Sequence, residues 1–164
     1  MLSVKVVYGT QTGNAFEIAL QIRDTLEESD TLEESDTRKY KASVESLKNY
    51  VGPKLLDIKN TDVLIVIVST TGNGDFPVDA SLFWRQIRKR TLDKNSLTGL
   101  RFLIIGLGDT NYSSFCKPAK SLYKRFNQLQ AESLMDPTYI DSAQDMEEQM
   151  DDWLGLMLPI LESL

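Results

Sequence analysis

Three short stretches carry the residues that could do chemistry. Gly9-Thr10-Gln11-Thr12-Gly13-Asn14-Ala15 places two hydroxyls and a run of backbone N–H groups where an apolar segment gives way to helical spacing. Such an arrangement holds a phosphate by hydrogen bonds and helix dipole. It has no lysine and fits neither GxxxxGK[ST] nor GxGxxG, which leaves a terminal phosphate monoester bound by neutral donors. In Thr70-Thr71-Gly72-Asn73-Gly74-Asp75, the two glycines can take positive φ and let backbone approach a flat ligand closely. Gly106-Leu107-Gly108-Asp109-Thr110-Asn111-Tyr112 repeats that permissiveness and ends in a ring suited to stacking on a planar group. Together the three describe a phosphate hook, a glycine slot and a stacking plate.

The rest of the composition narrows what such a site could do. There is no histidine and a single cysteine, Cys116, so a Ser-His-Asp triad, a Cys-His dyad, a His-bearing zinc site and a CxxC redox pair are excluded. Demanding chemistry would have to come from a cofactor. With 164 residues, 41% hydrophobic and 26% charged, the chain is expected to form one domain, residues 1–164, with no membrane span. The lone thiol and the absence of a visible signal peptide predict a reducing, cytoplasmic setting. A net charge of -6 argues against nucleic acid or an anionic membrane as partner and is compatible with a basic protein.

The elements that must position the loops follow from hydrophobic spacing. Val4 to Tyr8 reads as a strand, and Ala15, Ile18, Ala19, Ile22 and Leu26 form a helical stripe after the first loop. A second strand is expected near Tyr40 to Leu47. The third, Val63 to Val68, is aliphatic on both faces, as a covered parallel strand would be. Asp79 is expected to N-cap a helix whose buried stripe is Ala80, Phe83, Trp84 and Ile87, with Arg85, Arg88, Lys89 and Arg90 mostly outside it. A fourth strand, Phe102 to Ile105, leads into the third loop, and Pro118 suits the first turn of a helix bearing Ala119, Leu122, Tyr123 and Phe126. A fifth strand around Leu134 to Tyr139 is interrupted by Pro137, and the last helix carries Met146, Met150, Trp153, Leu154 and Met157. Five strands alternating with helices imply a doubly wound α/β sheet, in which all three loops lie at the carboxyl edge.

TLEESD occurs twice in tandem, at Thr25–Asp30 and Thr31–Asp36. Six inserted residues turn a helix by about 600°, about 240° out of phase, so Leu32 is not expected to continue the stripe that ends at Leu26. Residues 25–36 therefore read as a duplicated acidic insertion whose second copy bulges out as loop or frayed helix.

The motifs GTQTGNA, STTGNGD and LGLGDTNYSSF, in this order and spacing, resemble the flavodoxin-like FMN domains of the diflavin reductases over nearly the whole chain. The Thr-Thr-Gly form of the middle loop resembles the methionine synthase reductase branch and the cytosolic iron–sulfur-assembly reductases more than the microsomal haemoprotein reductases, and Asn73-Gly74-Asp75 is also similar to the nitric oxide synthase form. The resemblance implies a five-stranded parallel sheet of order 2-1-3-4-5 with helices on both faces, and FMN as cofactor. Carried over by position, Thr10, Gln11, Thr12, Gly13 and Asn14 would bind the FMN phosphate. Thr70, Thr71, Gly72, Asn73 and Gly74 would line the isoalloxazine edge. Leu107, Gly108, Asp109, Tyr112 and Phe115 would close the other side, with Tyr112 stacked and Asp141 near the ring. Ser142 and Ala143 depart from the family's acidic run after Asp141, and two further positions depart from the pattern. Thr71 stands where many relatives place a second stacking tyrosine, and Phe76 replaces a common proline and is expected to anchor its loop, with cover for the flavin edge as the alternative.

Flavin chemistry needs orientation and control of nearby charge more than reactive side chains, which suits a chain without histidine. The resemblance implies that electrons arrive from an FAD/NADPH reductase domain or protein and leave singly for an acceptor. A basic redox protein is expected as that acceptor, steered by acidic segments Asp24–Asp36 and Asp141–Asp152, which hold 13 of the 24 acidic residues. No FAD- or NADPH-binding module fits in this length, so the chain is expected to be a monomeric carrier or the amino-terminal part of a longer enzyme, incomplete as a catalyst by itself. Two alternatives stand beside this reading: a flavin-free α/β interaction adaptor and a free-standing FMN quinone reductase.

Overall fold

In the computed structural model the described residues are 1–31 and 38–164, and the second TLEESD copy lies almost wholly outside them. The strands are β1 (Leu2–Gly9), β2 (Tyr40–Ser46), β3 (Val63–Ser69), β4 (Arg101–Gly108), β5 (Glu132–Ser133) and β6 (Thr138–Asp141). The helices are α1 (Asn14–Thr31), α2 (Val78–Ile87), α3 (Lys117–Gln128) and α4 (Met146–Glu162). All strand pairs are parallel, in the order β2-β1-β3-β4-β5, with β6 also paired to β4. This is the doubly wound sheet expected from the alternation of strands and helices, in the order 2-1-3-4-5 that the family resemblance implies, with one strand divided.

Alternation along β3 builds two cores. Leu64, Val66 and Val68 pack with Phe83 and Ile87 of α2 and with Leu122 and Phe126 of α3. Val63, Ile65 and Ile67 pack with Ile18, Ile22 and Leu26 of α1 and with Trp153 and Met157 of α4. Every residue of β3 is buried, so each face of the strand needs its own cover. On the α2–α3 side, β2 is followed by 3-10 turns over Leu47–Asn49 and Gly52–Lys59, which bury Leu47, Leu55 and Ile58 in place of a crossover α-helix.

Three expectations are corrected. The fifth strand is two pieces: Ser133 pairs with Phe102 and Thr138 with Ile105, so three steps along β4 face five along its neighbour. The two extra residues fall between Ser133 and Thr138, a stretch that includes Pro137, which has no N–H to give a ladder. Gly106 and Gly108, read as loop, continue β4 opposite Val68 and Asp141. Asp79 does not cap α2: the helix starts at Val78 after Pro77, with no side-chain cap. The first TLEESD copy is helical and prolongs α1, with Leu26 fully buried.

Candidate functional site

β1, β3 and β4 each end in one of the three loops, at the edge where their connections diverge to opposite faces. There they enclose a cleft of about 610 Å³, a size that suits a nucleotide-scale ligand.

In the first loop, Gly13 takes φ 95° and its N–H donates to Thr10 Oγ1 at 2.9 Å, closing the turn just before α1. Gln11, Thr12 and Asn14 are exposed and line the cleft. The first N–H groups of α1 have no intrahelical acceptor, so they and the Thr12 hydroxyl form a neutral donor set at the positive end of a helix. Asp79 supports this loop from α2: its carboxylate accepts the Thr10 N–H at 2.9 and 3.1 Å. Burial pushes the Asp79 carboxyl above its ordinary value, against the lowering effect of the Thr10 bond.

The second loop is a closed hairpin. The Thr71 N–H donates to Asp75 O at 2.9 Å, the Asp75 N–H returns to Thr71 O at 2.8 Å, and the Thr71 hydroxyl donates to the carbonyls of Asp75 and Phe76. Gly72 and Asn73 stand exposed at its tip and line the cleft, with Gly72 at φ 51°. Gly74 faces the other way: a Cβ there would lie 2.8 Å from Ser114 Cβ, so this glycine lets the hairpin seat against the third loop. Thr70 ties the same two loops together, donating its N–H and hydroxyl to Leu107 O at 3.0 and 2.9 Å. Phe76 stacks on Trp84 at 4.8 Å and anchors the hairpin to α2.

The third loop contributes Leu107, Gly108, Asp109, Tyr112 and Phe115 to the cleft, and Tyr112 is 67% exposed. Phe115 is held edge-on by Tyr139, with Lys120 Nζ over both rings. Asp141 is buried at the end of β6, where its carboxylate accepts the Thr110 hydroxyl at 2.6 Å and the N–H groups of Thr110 and Ala143. The Thr110 hydroxyl, chiefly, holds this carboxyl below its ordinary value. Its contribution to stability is therefore complete above the ordinary aspartate value of 3.8 and is lost as pH falls through the lower folded-state value. Asp141→Asn is expected to lower the urea midpoint at neutral pH, with the gap from the parent narrowing on acidification. A gap independent of pH would show that the carboxylate charge does not brace the loop.

All the sequence-derived site residues line the cleft except Thr10, Gly13, Gly74 and Asp141, which shape or brace the loops from behind. Sequence reasoning missed Ser69, Ser113, Ser114, Ser142 and Met146. Met146 was assignable: it follows the Asp145 N-cap of α4 and so opens a helix at the cleft edge of the sheet.

Cys116, in left-handed backbone at φ 52°, lies beneath the third loop, fully buried. Burial pushes its thiol up to about 12. The folded protein is expected to leave a thiol reagent unconsumed near pH ~8 and to release one reactive thiol on denaturation. Rapid labelling of the native protein would contradict this placement. Among the described residues there is no cluster of metal ligands and no helix long and apolar enough to cross a membrane.

Comparison with known proteins adds to this geometry. The flavodoxin family pattern matches residues 6–153. The chain is 39% identical over 132 residues to the NADPH-dependent diflavin oxidoreductase 1 of Emericella nidulans, covering 80% of this chain and 18% of that protein. It is 36% identical over 107 residues to the methionine synthase reductase of Bos taurus, covering 65% of this chain and 15% of that one. The chain thus spans less than a quarter of the length of such relatives. Among solved structures, oxidised flavodoxin 1 from Bacillus cereus superposes with a TM-score of 0.75 over 99% of both chains at 18% identity, a likeness of fold.

Proposed function

The chain belongs to the flavodoxin family, and from that premise we propose that residues 1–164 form the FMN-binding electron-transfer unit of a diflavin oxidoreductase. The observation that carries this reading is the joining of a neutral phosphate-type donor set, an exposed glycine hairpin and an exposed tyrosine in one cleft. The donors fit FMN because a phosphate monoester can be held by Thr12 and the first turn of α1, with no lysine or metal. Gly72 and Asn73 can bring backbone amides to a ring edge with no side chain in the way at Gly72. Tyr112 and Phe115 offer aromatic surface to a planar group.

FMN, when bound, would supply the one- and two-electron redox chemistry that the side chains here lack. The protein's part is to bind and orient. Asp79 and Thr10 fix the phosphate loop, Thr70 locks the hairpin to β4, and Asp141 holds the third loop. We assign the donor role to an FAD/NADPH reductase module, in keeping with the names of the relatives, and the acceptor role to a basic redox protein drawn to the acidic α1 and α4 side. A monomeric, cytoplasmic carrier belongs to the same reading.

Purified protein is expected to be yellow, with the visible absorbance of oxidised flavin, and to release one FMN per chain on denaturation. A colourless protein that takes up no added FMN would overturn the proposal in favour of an adaptor. NADPH-dependent quinone reduction by the chain without added reductase would overturn the carrier role.

A further inference from the structure

Charge is divided across the sheet. α1, α4 and the Asp145 cap carry eleven acidic residues against one arginine, whereas the chain from Val78 to Gln130 carries ten Lys/Arg against three Asp. On a protein of net charge -6, the α2–α3 side is therefore a basic face. The strongest part lies along α2. Val78 and Leu82 are 81% and 42% exposed, and with Arg85 they fall on one stripe of the helix at i, i+4 and i+7. Arg88, at the end of the helix, and Lys89 and Arg90, just beyond it, follow in sequence and are all exposed.

This strip has no evident structural use. Among the described residues no carboxylate pairs with Arg85, Arg88, Lys89 or Arg90. Cations at a helix C-terminus can serve the dipole, but Arg125 of α3 already does so, donating to Ile87 O at 2.8 Å and Lys89 O at 2.7 Å. Like charges three and four residues apart repel, and two adjacent aliphatic side chains in water add no packing. Arginine beside exposed aliphatic surface is the composition of a protein-docking patch.

We infer that the Val78–Leu82–Arg85 strip of α2, with Arg88, Lys89 and Arg90, docks an acidic segment of a partner polypeptide that also carries apolar side chains. The sign of the charge selects the partner. An acidic segment is attracted here and repelled by the α1–α4 side, so this surface is separate from the one assigned to a basic acceptor. α2 begins where the second loop ends, so a partner lying along the strip has one end at the lip of the cleft. No exposed aromatic interrupts the cations as a base-stacking surface would require. None of the six residues lines the cleft, so the inference does not rest on the cofactor reading.

The test uses the full chain and a fluorescent synthetic peptide of repeated Glu-Glu-Leu, with binding followed by anisotropy at low ionic strength. Saturable binding that weakens with salt is expected. The variant Arg85→Glu/Arg88→Glu/Lys89→Glu/Arg90→Glu should lose about tenfold or more in affinity. Val78→Ser/Leu82→Ser should weaken the Leu-containing peptide severalfold and leave an all-Glu peptide unchanged. If the charge reversal misfolds, the corresponding four-glutamine variant gives the same comparison at lower cost to the fold. FMN content, measured in parallel, should match the parent, which separates failure here from failure of the cofactor assignment. Affinity unchanged by either charge variant would overturn the inference. So would tighter binding of duplex DNA than of peptide, or self-association abolished by the reversal, which would assign the strip to a nucleic acid or to a second copy.

Discussion

Thr12→Glu is expected to abolish FMN retention while leaving the chain folded. Thr12 is exposed at the cleft end of the first loop, so a longer side chain there meets no packed neighbour that it must displace. What changes is charge. The groups that line the site are hydroxyl and amide donors at the positive end of α1, and the nearest carboxylate that braces the loop, Asp79, is engaged by the Thr10 N–H. A carboxylate about 5 Å from a phosphate charge at an effective dielectric near 20 costs about 3 kcal/mol, on the order of a hundredfold in dissociation constant. The expected results are a colourless preparation, a melting temperature equal to that of the flavin-free parent, and no rise in that temperature when FMN is added. Thr12→Ser, which keeps the hydroxyl, should remain yellow. Flavin content unchanged in Thr12→Glu would remove the phosphate-loop assignment.

The parts of this molecule that sequence revealed are those in which the local signal and the three-dimensional requirement coincide. β3 is buried on both faces, and its run of Val and Ile says so directly. The cleft loops stand out because glycine and threonine crowd together just after apolar strands. The misreadings have one physical source, contacts made across the sheet. Asp79 has the residue type and position of an N-cap, yet its carboxylate is drawn to Thr10 from a different strand end. The bracing role of Asp141 was not legible either, because the Thr110 hydroxyl and N–H that it accepts lie 31 residues away in the chain. Gly106 has the look of a loop residue and lies inside a strand, because what it accommodates is a helix. The divided fifth strand is a case of intermediate legibility: Pro137 marks the break, but only the register against β4 shows how many residues it displaces.

Gly106→Val tests how that helix is positioned, and it should act on the fold first and on the cofactor through it. A Cβ at residue 106 would lie 2.5 Å from Ala119 Cβ and 3.1 Å from Cys116 Cβ. On the neighbouring crossover, a Cβ at Gly9 would lie 2.6 Å from Ala80 Cβ. Ala80 and Ala119 are each the third residue of their helices, so α2 and α3 use the same device: a first-turn alanine seated on a strand glycine. The close approach fixes both helices where their N-termini meet the cleft. β4 cannot retreat from a new side chain, since Gly106 is held between Val68 of β3 and Tyr139 of β6. The helix must move, carrying Cys116 and Phe115 with it. Overpacking of this kind costs about 1–3 kcal/mol, which for a chain of this length lowers the melting temperature by roughly 2–12 °C. Flavin retention should fall as well, but unlike Thr12→Glu the variant keeps every donor of the phosphate loop, so added FMN should raise its melting temperature by mass action. Gly106→Ala, with a single methyl in the same gap, is expected to show a smaller form of both effects. A Gly106→Val protein as stable as its parent would mean that the seating of α3 on β4 does not set the helix position.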